Sequence, residues 1–271
     1  MIQNTQIERW LREDVGHHDV TNEVPGETTG RLVATEAGVA AGLDAAVAVF
    51  EYLDVDVTPR VDVGERVEPD ETVLTVDGAA SAILRGERVA VNVLGHASGV
   101  ATRTRAAVDA ARTVSDQVTV AGTRKTTPGL RGVEKRAIVA GGGDTHRLDL
   151  SHMVMVKDNH VAELGLVGAV EHLRERASFT TKVEVEVERP EDGPRAAAAG
   201  ADVVLFDNMS PAATTEGVQH LQRADATALT EASGGITLET VPAYAETGVD
   251  VISVGSLTHS ADALDYSFRT G

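Results

Sequence analysis

MVMVKDNHVAELGLVGAVEHLRERASFTTKVEVEV, residues 153–187, holds two short β-branched runs with a helical spacing of apolar residues between them. MVMVK (153–157) and KVEVEV (182–187) read as strands, and VAELGLVGAVEHLRERA (161–177) as the helix that joins them. The rhythm continues outward. VTVAG (118–122) precedes this unit, and DVVLF (202–206), TALTE (227–231) and DVISVG (250–255) follow it. The later strands recur about every 20–30 residues, the size of one βα unit. Six such units predict a parallel, TIM-like α/β barrel with six or seven strands rather than eight. An open doubly wound sheet is the alternative, but no GxGxxG follows an early strand.

The first hundred residues are more mixed. Ile7, Trp10 and Leu11 recur at helical spacing, RLVATE (31–36) reads as a strand and LDAAVAVFEYL (43–53) as a helix. VDVGERVEPDETVLTVDG (61–78) has two alternating runs around Pro-Asp and predicts a hairpin. From Arg85 to Arg112 the spacing is helical, with Gly95 and Gly99 interrupting it. The expected division is an N-terminal domain over 1–112 and a barrel over 113–257, with the tail from 258 to 271 packing on the former.

In barrels of this kind the chemistry sits where strands run into βα loops. Arg124 and Lys125 follow the first strand, Lys157 ends the second, and Glu184 and Glu186 lie on the third. Asp207 ends the fourth; Glu231, Ser233, Gly234 and Gly235 accompany the fifth; Gly255 and Ser256 close the sixth. Arginine forks suit carboxylates and phosphates, and lysine adds a point charge. Paired carboxylates can hold a hydrated Mg²⁺ or ribose hydroxyls. The SGG and VGS loops can offer backbone N–H groups to a phosphate. The set suits an anionic, phosphorylated, metal-bound substrate. His146, His152 and His160 lack the spacing of a compact zinc site, and His17, His18 and Asp19 read as an exposed loop. Arg103 and Arg105 read as solvated helix charges, and Gly141–Gly143 as a flexible loop.

Several of these stretches occur together in one known family. LREDVGHHDVT, GERVAVNVLGHASGVAT, AGTRKTTPGLRGVEKRAIVAGGGDTHRLDL, MVMVKDNH, KVEVEVE, VVLFDN, EASGGI and GVDVISVGSLTHS stand in the order found in quinolinate phosphoribosyltransferases, which the chain resembles over nearly its full length. Within these stretches His18 replaces a common glycine and Val91 a common leucine, neither of them a residue to which the family assigns a role below. The resemblance implies an N-terminal α/β sandwich and an incomplete barrel. It also implies magnesium-dependent transfer of phosphoribose from phosphoribosyl pyrophosphate to quinolinate, with decarboxylation, in NAD synthesis. Arg124, His146, Arg147 and Lys157 would surround the quinolinate carboxylates, with Arg88 reaching in from a partner subunit. Lys125 would bind pyrophosphate, and Glu186 and Asp207 the ribose hydroxyls and Mg²⁺. Ser233, Gly234, Gly235, Gly255 and Ser256 would cradle the 5′-phosphate. The implied assembly is a homodimer with shared active sites, and dimers of this kind can build a hexamer. A same-fold transferase for another substrate, such as the relatives found with molybdate transport, stays open. So does a Schiff-base lyase that uses Lys157.

The composition narrows the setting. The chain has 271 residues, enough for a sizeable core, and no cysteine, which excludes disulfides and thiol chemistry. No apolar run nears the roughly 20 residues of a membrane span. The opening MIQNTQIERWLRED has no basic n-region or apolar h-region, so a cytoplasmic location is expected. The net charge is −18, which argues against a nucleic-acid partner, yet Arg124 to Lys157 carries a local excess of four positive charges. Only four lysines occur: Lys125, Lys135, Lys157 and Lys182. An acidic, lysine-poor chain rich in small apolar residues suits a salt-rich cytoplasm, where screening shortens to about 3 Å at 1 M salt. The protein is therefore expected to melt higher in molar KCl than in low salt. Equal melting temperatures by calorimetry would rule out a halophilic character.

Overall fold

The computed structural model describes residues 2–271. Its strands are β1 (Glu27–Ala34), β2 (Gly38–Val39), β3 (Asp56–Pro59), β4 (Arg66–Val67), β5 (Thr72–Ala79) and β6 (Thr119–Ala121), then β7 (Val154–Val156), β8 (Val183–Val187), β9 (Val203–Asp207), β10 (Leu229–Ser233), β11 (Val251–Ser253) and β12 (Tyr266–Thr270). The chain forms two compact units. One takes the chain up to Arg105 together with Pro128–Gly142 and Ser260–Gly271; the other takes Ala106–Thr127 and Gly143–His259.

The second unit is an incomplete barrel. Its sheet has the order β6-β11-β10-β9-β8-β7, with every pairing parallel. From β7 to β11 each strand lies beside its successor, and β6, the first in sequence, lies beside β11, the last. That is the cyclic order of a barrel; a doubly wound sheet reverses direction at a switch point instead. A lone parallel bridge between Ala121 and Asp144 adds a short seventh element to β6.

Alternation along the strands gives this sheet two unlike faces. Val183, Val185, Val187, Val204, Phe206 and Ala232 join one buried apolar cluster with the surrounding helices. Their neighbours on the other face are Glu184, Glu186, Leu205, Asp207, Glu231 and Ser233, brought into common rows by the register Glu186↔Leu205↔Glu231 and Asp207↔Ser233. The helices start where the sequence allows. Ser210 caps Pro211–Arg223, its Oγ accepting from the Ala213 N–H at 3.3 Å, with Pro at the first position. The helical stretch expected over 161–177 divides into Asp158–Leu164 and Leu166–Arg174. Gly165 separates them with φ 69, a left-handed value that ends the first piece.

The first unit has a four-stranded antiparallel sheet, β12-β1-β5-β3, over a core that includes Leu32, Phe50, Leu74 and Ile83. The hairpin expected over 61–78 does not form. β4 pairs with β2, while β5 pairs with β1 and β3. The turn between β4 and β5 is instead tied to the end of β1, where the Asp70 N–H donates to the Ala34 carbonyl at 2.8 Å. The helix Ala80–Arg112 runs straight through Gly95 and Gly99. These glycines are a notch for the returning chain: a Cβ at Gly95 would stand 2.8 Å from the Leu264 carbonyl oxygen, and one at Gly99 1.9 Å from that of Asp262. The chain beyond them ends in β12, where Phe268 stacks on Phe50 with ring centroids 6.2 Å apart.

Residues 128–142, read from sequence with the barrel, group with the first unit. The helix Arg131–Ala140 buries Val133, Ala137 and Ile138 against Val39, Val93 and Ala97. Arg105 is not a solvated charge: its Nε donates to the Gly141 carbonyl at 2.9 Å and its Nη2 to that of Ala140 at 3.4 Å. It thereby satisfies carbonyls that the end of this helix leaves open. Among the described residues no helix is long and apolar enough to cross a membrane.

Gly99→Ala tests the notch. The added methyl has backbone rather than a movable side chain in its way, so about 1–3 kcal/mol of stability or more should be lost. An unchanged urea midpoint would show that the returning segment does not pack there.

Candidate active site

The carboxyl ends of β6–β11 collect most of the residues singled out in the sequence. Lys157 follows β7 at the start of Asp158–Leu164, and its Nζ donates to Glu186 Oε1 at 2.5 Å. The Lys157 N–H is accepted by His160 Nδ1 at 3.0 Å, which spends His160 on the helix start. His152 is used in a similar way, its Nδ1 accepting from the Leu148 N–H at 3.2 Å. His146 goes elsewhere, so the three histidines have three separate partners.

His146 points into the acidic face of the sheet. Its Nε2 lies 3.1 Å from Glu231 Oε2 and 3.7 Å from Glu184 Oε2. Both carboxyl groups are buried, Glu184 completely. Burial alone would make the imidazole harder to protonate, but the nearby carboxyl groups of Glu184 and Glu231 outweigh it and raise His146 to about 10. Burial also pushes the Glu184 carboxyl up, with the nearby Glu231 adding to the effect. The ligand atoms of these three residues lie within 4.8 Å of one another. By distance alone they would fit round a cation, which would take the Nε2 lone pair that the two carboxylates otherwise assign to a hydrogen.

Arg147 is next in the chain and is buried. Its Nη2 approaches Met155 Sδ at 3.3 Å, a weak acceptor on the inward side of β7. Burial and then the charge of Arg124 make the Arg147 guanidinium easier to deprotonate. The Nε atoms of both Arg124 and Arg147 are buried with no hydrogen-bond partner among the described residues. Two guanidinium groups placed close together and left short of acceptors await an anion that brings its own.

The later strand ends are shaped by glycine. Asp207 is steered by Asn208, whose Nδ2 donates to Asp207 Oδ2 at 2.8 Å. Asn208 adopts φ 54, and its N–H donates to the Ser233 carbonyl at 2.9 Å, joining the ends of β9 and β10. Gly234 has φ 96, and a Cβ there would stand 2.3 Å from Asn208 Oδ1, so only glycine fits. Beside β11, a Cβ on Gly255 would stand 2.9 Å from Lys125 Cδ. The Lys125 carbonyl accepts from Thr258 Oγ1 at 2.5 Å, and its N–H donates to Thr123 Oγ1 at 3.0 Å. Lys125 therefore lies along the VGS loop, with Ser256 beginning the short helix Ser256–His259.

Thus Arg124, Lys125, His146, Arg147, Lys157, Glu186, Asp207, Ser233, Gly234, Gly235, Gly255 and Ser256 all belong to one unit. Arg88 lies in the other, on Ala80–Arg112, exposed and 3.7 Å from Glu87. Sequence reasoning passed over Glu231 and Thr258 as working residues. Both lie inside quoted motifs, EASGGI and VGSLTHS, but nothing in one dimension shows that Glu231 meets His146 across 85 positions.

Comparison with known proteins settles the family. The family described as "Quinolinate phosphoribosyl transferase, C-terminal domain" matches residues 100–269, and its N-terminal domain matches 19–98. The chain belongs to the quinolinate phosphoribosyltransferase family. It is 44% identical over 270 residues to the "Probable nicotinate-nucleotide pyrophosphorylase [carboxylating]" of Methanothermobacter thermautotrophicus, covering 97% of each chain. It is 43% identical over 266 residues to the human "Nicotinate-nucleotide pyrophosphorylase [carboxylating]", covering 97% of this chain and 90% of that one. Among solved structures, NadC from Streptococcus pyogenes superposes with a TM-score of 0.91 at 38% identity, over 98% of this chain and 95% of that one. These likenesses span both units of this quinolinate phosphoribosyltransferase family member, so the incomplete barrel and its N-terminal partner are the family's own architecture.

Proposed function

We propose that the chain is a carboxylating nicotinate-nucleotide pyrophosphorylase. It transfers phosphoribose from phosphoribosyl pyrophosphate to quinolinate and releases pyrophosphate, CO₂ and nicotinate mononucleotide for NAD synthesis. The observation that carries this reading is the pair of neighbouring guanidiniums, Arg124 and Arg147, with buried N–H groups lacking acceptors. A pyridine dicarboxylate supplies two planar acceptor groups to such a pair. His146 and Lys157 complete the cationic wall.

Two bond changes make the reaction. The ring nitrogen forms a bond to the ribose C1 as the bond from C1 to pyrophosphate breaks. The C–CO₂ bond next to that nitrogen then breaks, its electron pair passes to the cationic ring, and a proton takes the vacated position. The nitrogen is hindered by its neighbouring carboxylate, so fixed orientation lowers the barrier. Glu186 and Asp207 face the place where positive charge grows on the ribose, and Lys125 opposes the charge on the leaving pyrophosphate. Exclusion of water from the carboxylate next to the nitrogen would favour its loss. Lys157 is engaged by Glu186 at 2.5 Å, so it serves as a bound cation rather than as a free amine for Schiff-base chemistry.

Glu186 and Asp207 also suit Mg²⁺. They are partly exposed oxygen donors at neighbouring strand ends, the kind of sparse carboxylate set that leaves the ion most of its water. When bound, the ion would neutralise pyrophosphate charge. Ser233, Gly234, Gly235, Gly255 and Ser256 form the part of the mouth suited to the 5′-phosphate, with room that only glycine leaves. The working unit on this reading is a homodimer in which Arg88 serves the partner's site; its exposed guanidinium supports that use. A cytoplasmic location fits a cysteine-free chain.

The decisive assay follows ¹⁴CO₂ from quinolinate labelled at the carboxylate next to the ring nitrogen, with and without phosphoribosyl pyrophosphate. Release should require both substrates. Arg124→Ala and Lys157→Ala should each lower turnover by about 10²–10³. Wild-type kinetics in either variant would remove that residue from the site. Sharing of sites has its own test. Arg88→Ala and Lys157→Ala homodimers should both be inactive, and heterodimers reassembled from the two should regain part of the activity. Confirmed heterodimers without recovery would place Arg88 outside the partner's site.

A further inference from the structure

His146 is constrained from two directions. Its backbone is left-handed, with φ 52, and its N–H donates to Asp144 Oδ1 at 2.6 Å. Such a conformation is costly for a residue with a side chain and persists where the surroundings impose it. Its ring Nε2 meets Glu231 at 3.1 Å and Glu184 at 3.7 Å. A carboxylate only accepts, so Nε2 must carry a hydrogen. In the neutral ring Nδ1 is then a bare acceptor, which repels a substrate carboxylate. The ring can assist an anionic substrate only when both nitrogens are protonated.

The two carboxyl groups have little else to do. Glu184 Oε1, Glu184 Oε2 and Glu231 Oε1 are buried with no hydrogen-bond partner among the described residues. Burying carboxyl groups in this state opposes folding, and an apolar pair would fill the space more cheaply. Charges reach the ring from two strands, Glu184 on β8 and Glu231 on β10; Asp144 holds the backbone N–H, Arg147 is next in the chain, and Arg124 acts on Arg147 from the loop after β6. Of these, Glu231 is the nearest side-chain partner of the imidazole.

We propose that Glu231, backed by Glu184, is a positioning residue that clamps Nε2 of His146 and so makes the ring present a protonated Nδ1 to a quinolinate carboxylate. This rests on the assignment of His146 to quinolinate made above. Glu231 touches neither substrate nor metal in this scheme and acts only through the imidazole.

The first measurement is nuclear magnetic resonance of the ligand-free, histidine-labelled enzyme. The wild-type His146 ring should remain protonated throughout about pH 6–8 and titrate there only in Glu231→Gln. A wild-type midpoint near the ordinary 6.5 overturns the proposal even if the variant fails to fold. In kinetics at pH 8, Glu231→Gln should raise KM for quinolinate by about 10–100-fold, as for loss of a charged hydrogen bond, and leave that for phosphoribosyl pyrophosphate unchanged. Glu231→Asp, with its charge retained, should recover part of the loss. An equal rise in both KM values, with a lowered melting temperature, would reduce Glu231 to a structural role and overturn the proposal. If His146→Asn leaves the quinolinate KM unchanged, the assignment of His146 falls and takes the proposal with it. If His146→Asn raises that KM and Glu231→Gln does not, the assignment stands and only the role of Glu231 falls. Stoichiometric zinc or manganese in the wild type, absent from Glu231→Gln, would overturn the clamp in favour of a metal site.

Discussion

Carboxyl groups inside a parallel sheet set the terms for what surrounds them. Glu184 and Glu231 are almost entirely out of water, and Glu186 lies one step beyond Glu184 along β8, toward the mouth. A buried carboxylate demands compensation. His146 answers the inner pair, and Lys157 answers Glu186. Two further cations, Arg147 and Arg124, are left with unused donors. Positive groups therefore stand beside the carboxylates within an acidic chain. An acidic protein can in this way receive an acidic substrate, because the attraction is local while the repulsion is spread over a screened surface.

Much of the barrel was legible because strand periodicity and function coincide. In VEVEV the valines face the helices and the glutamates face inward, so one run of five residues announces both a strand and a site. Where the two codes separate, reading failed. The run 61–78 alternates as a hairpin does, yet its halves pair with strands elsewhere in the chain, and alternation carries no information about partners. Arg105 stands in a helical stretch like any solvated charge; only the fold brings it to the carbonyls of Ala140 and Gly141. Glu231 was visible as a residue but not as a neighbour of His146, since only the fold brings the two together across 85 positions.

The basic stretch from Arg124 to Lys157 likewise separates into different jobs. Arg124, Lys125, Arg147 and Lys157 stay with the barrel. Lys135 and Arg136 belong to the helix Arg131–Ala140, which is part of the other unit: Lys135 is buried, and Arg136 pairs with Asp44 at 3.0 Å. A charge count along the sequence merges these groups because the chain leaves the barrel at Pro128 and comes back to it at Gly143.

The notch at Gly95 and Gly99, and the pairing of β12 with β1, also bear on the order of events during synthesis. The first unit needs residues 260–271 to complete its sheet, and those are synthesised after the barrel residues. The whole barrel is made before the domain that begins the chain can close. Contacts that span more than 200 positions, such as Leu32 with Phe268, form late because the loop between them must be closed first. Until then the edge of β1 that β12 covers is unpaired, a surface on which nascent chains can associate wrongly. Loss of residues 260–271 would therefore injure the first unit more than the barrel that precedes them in the chain.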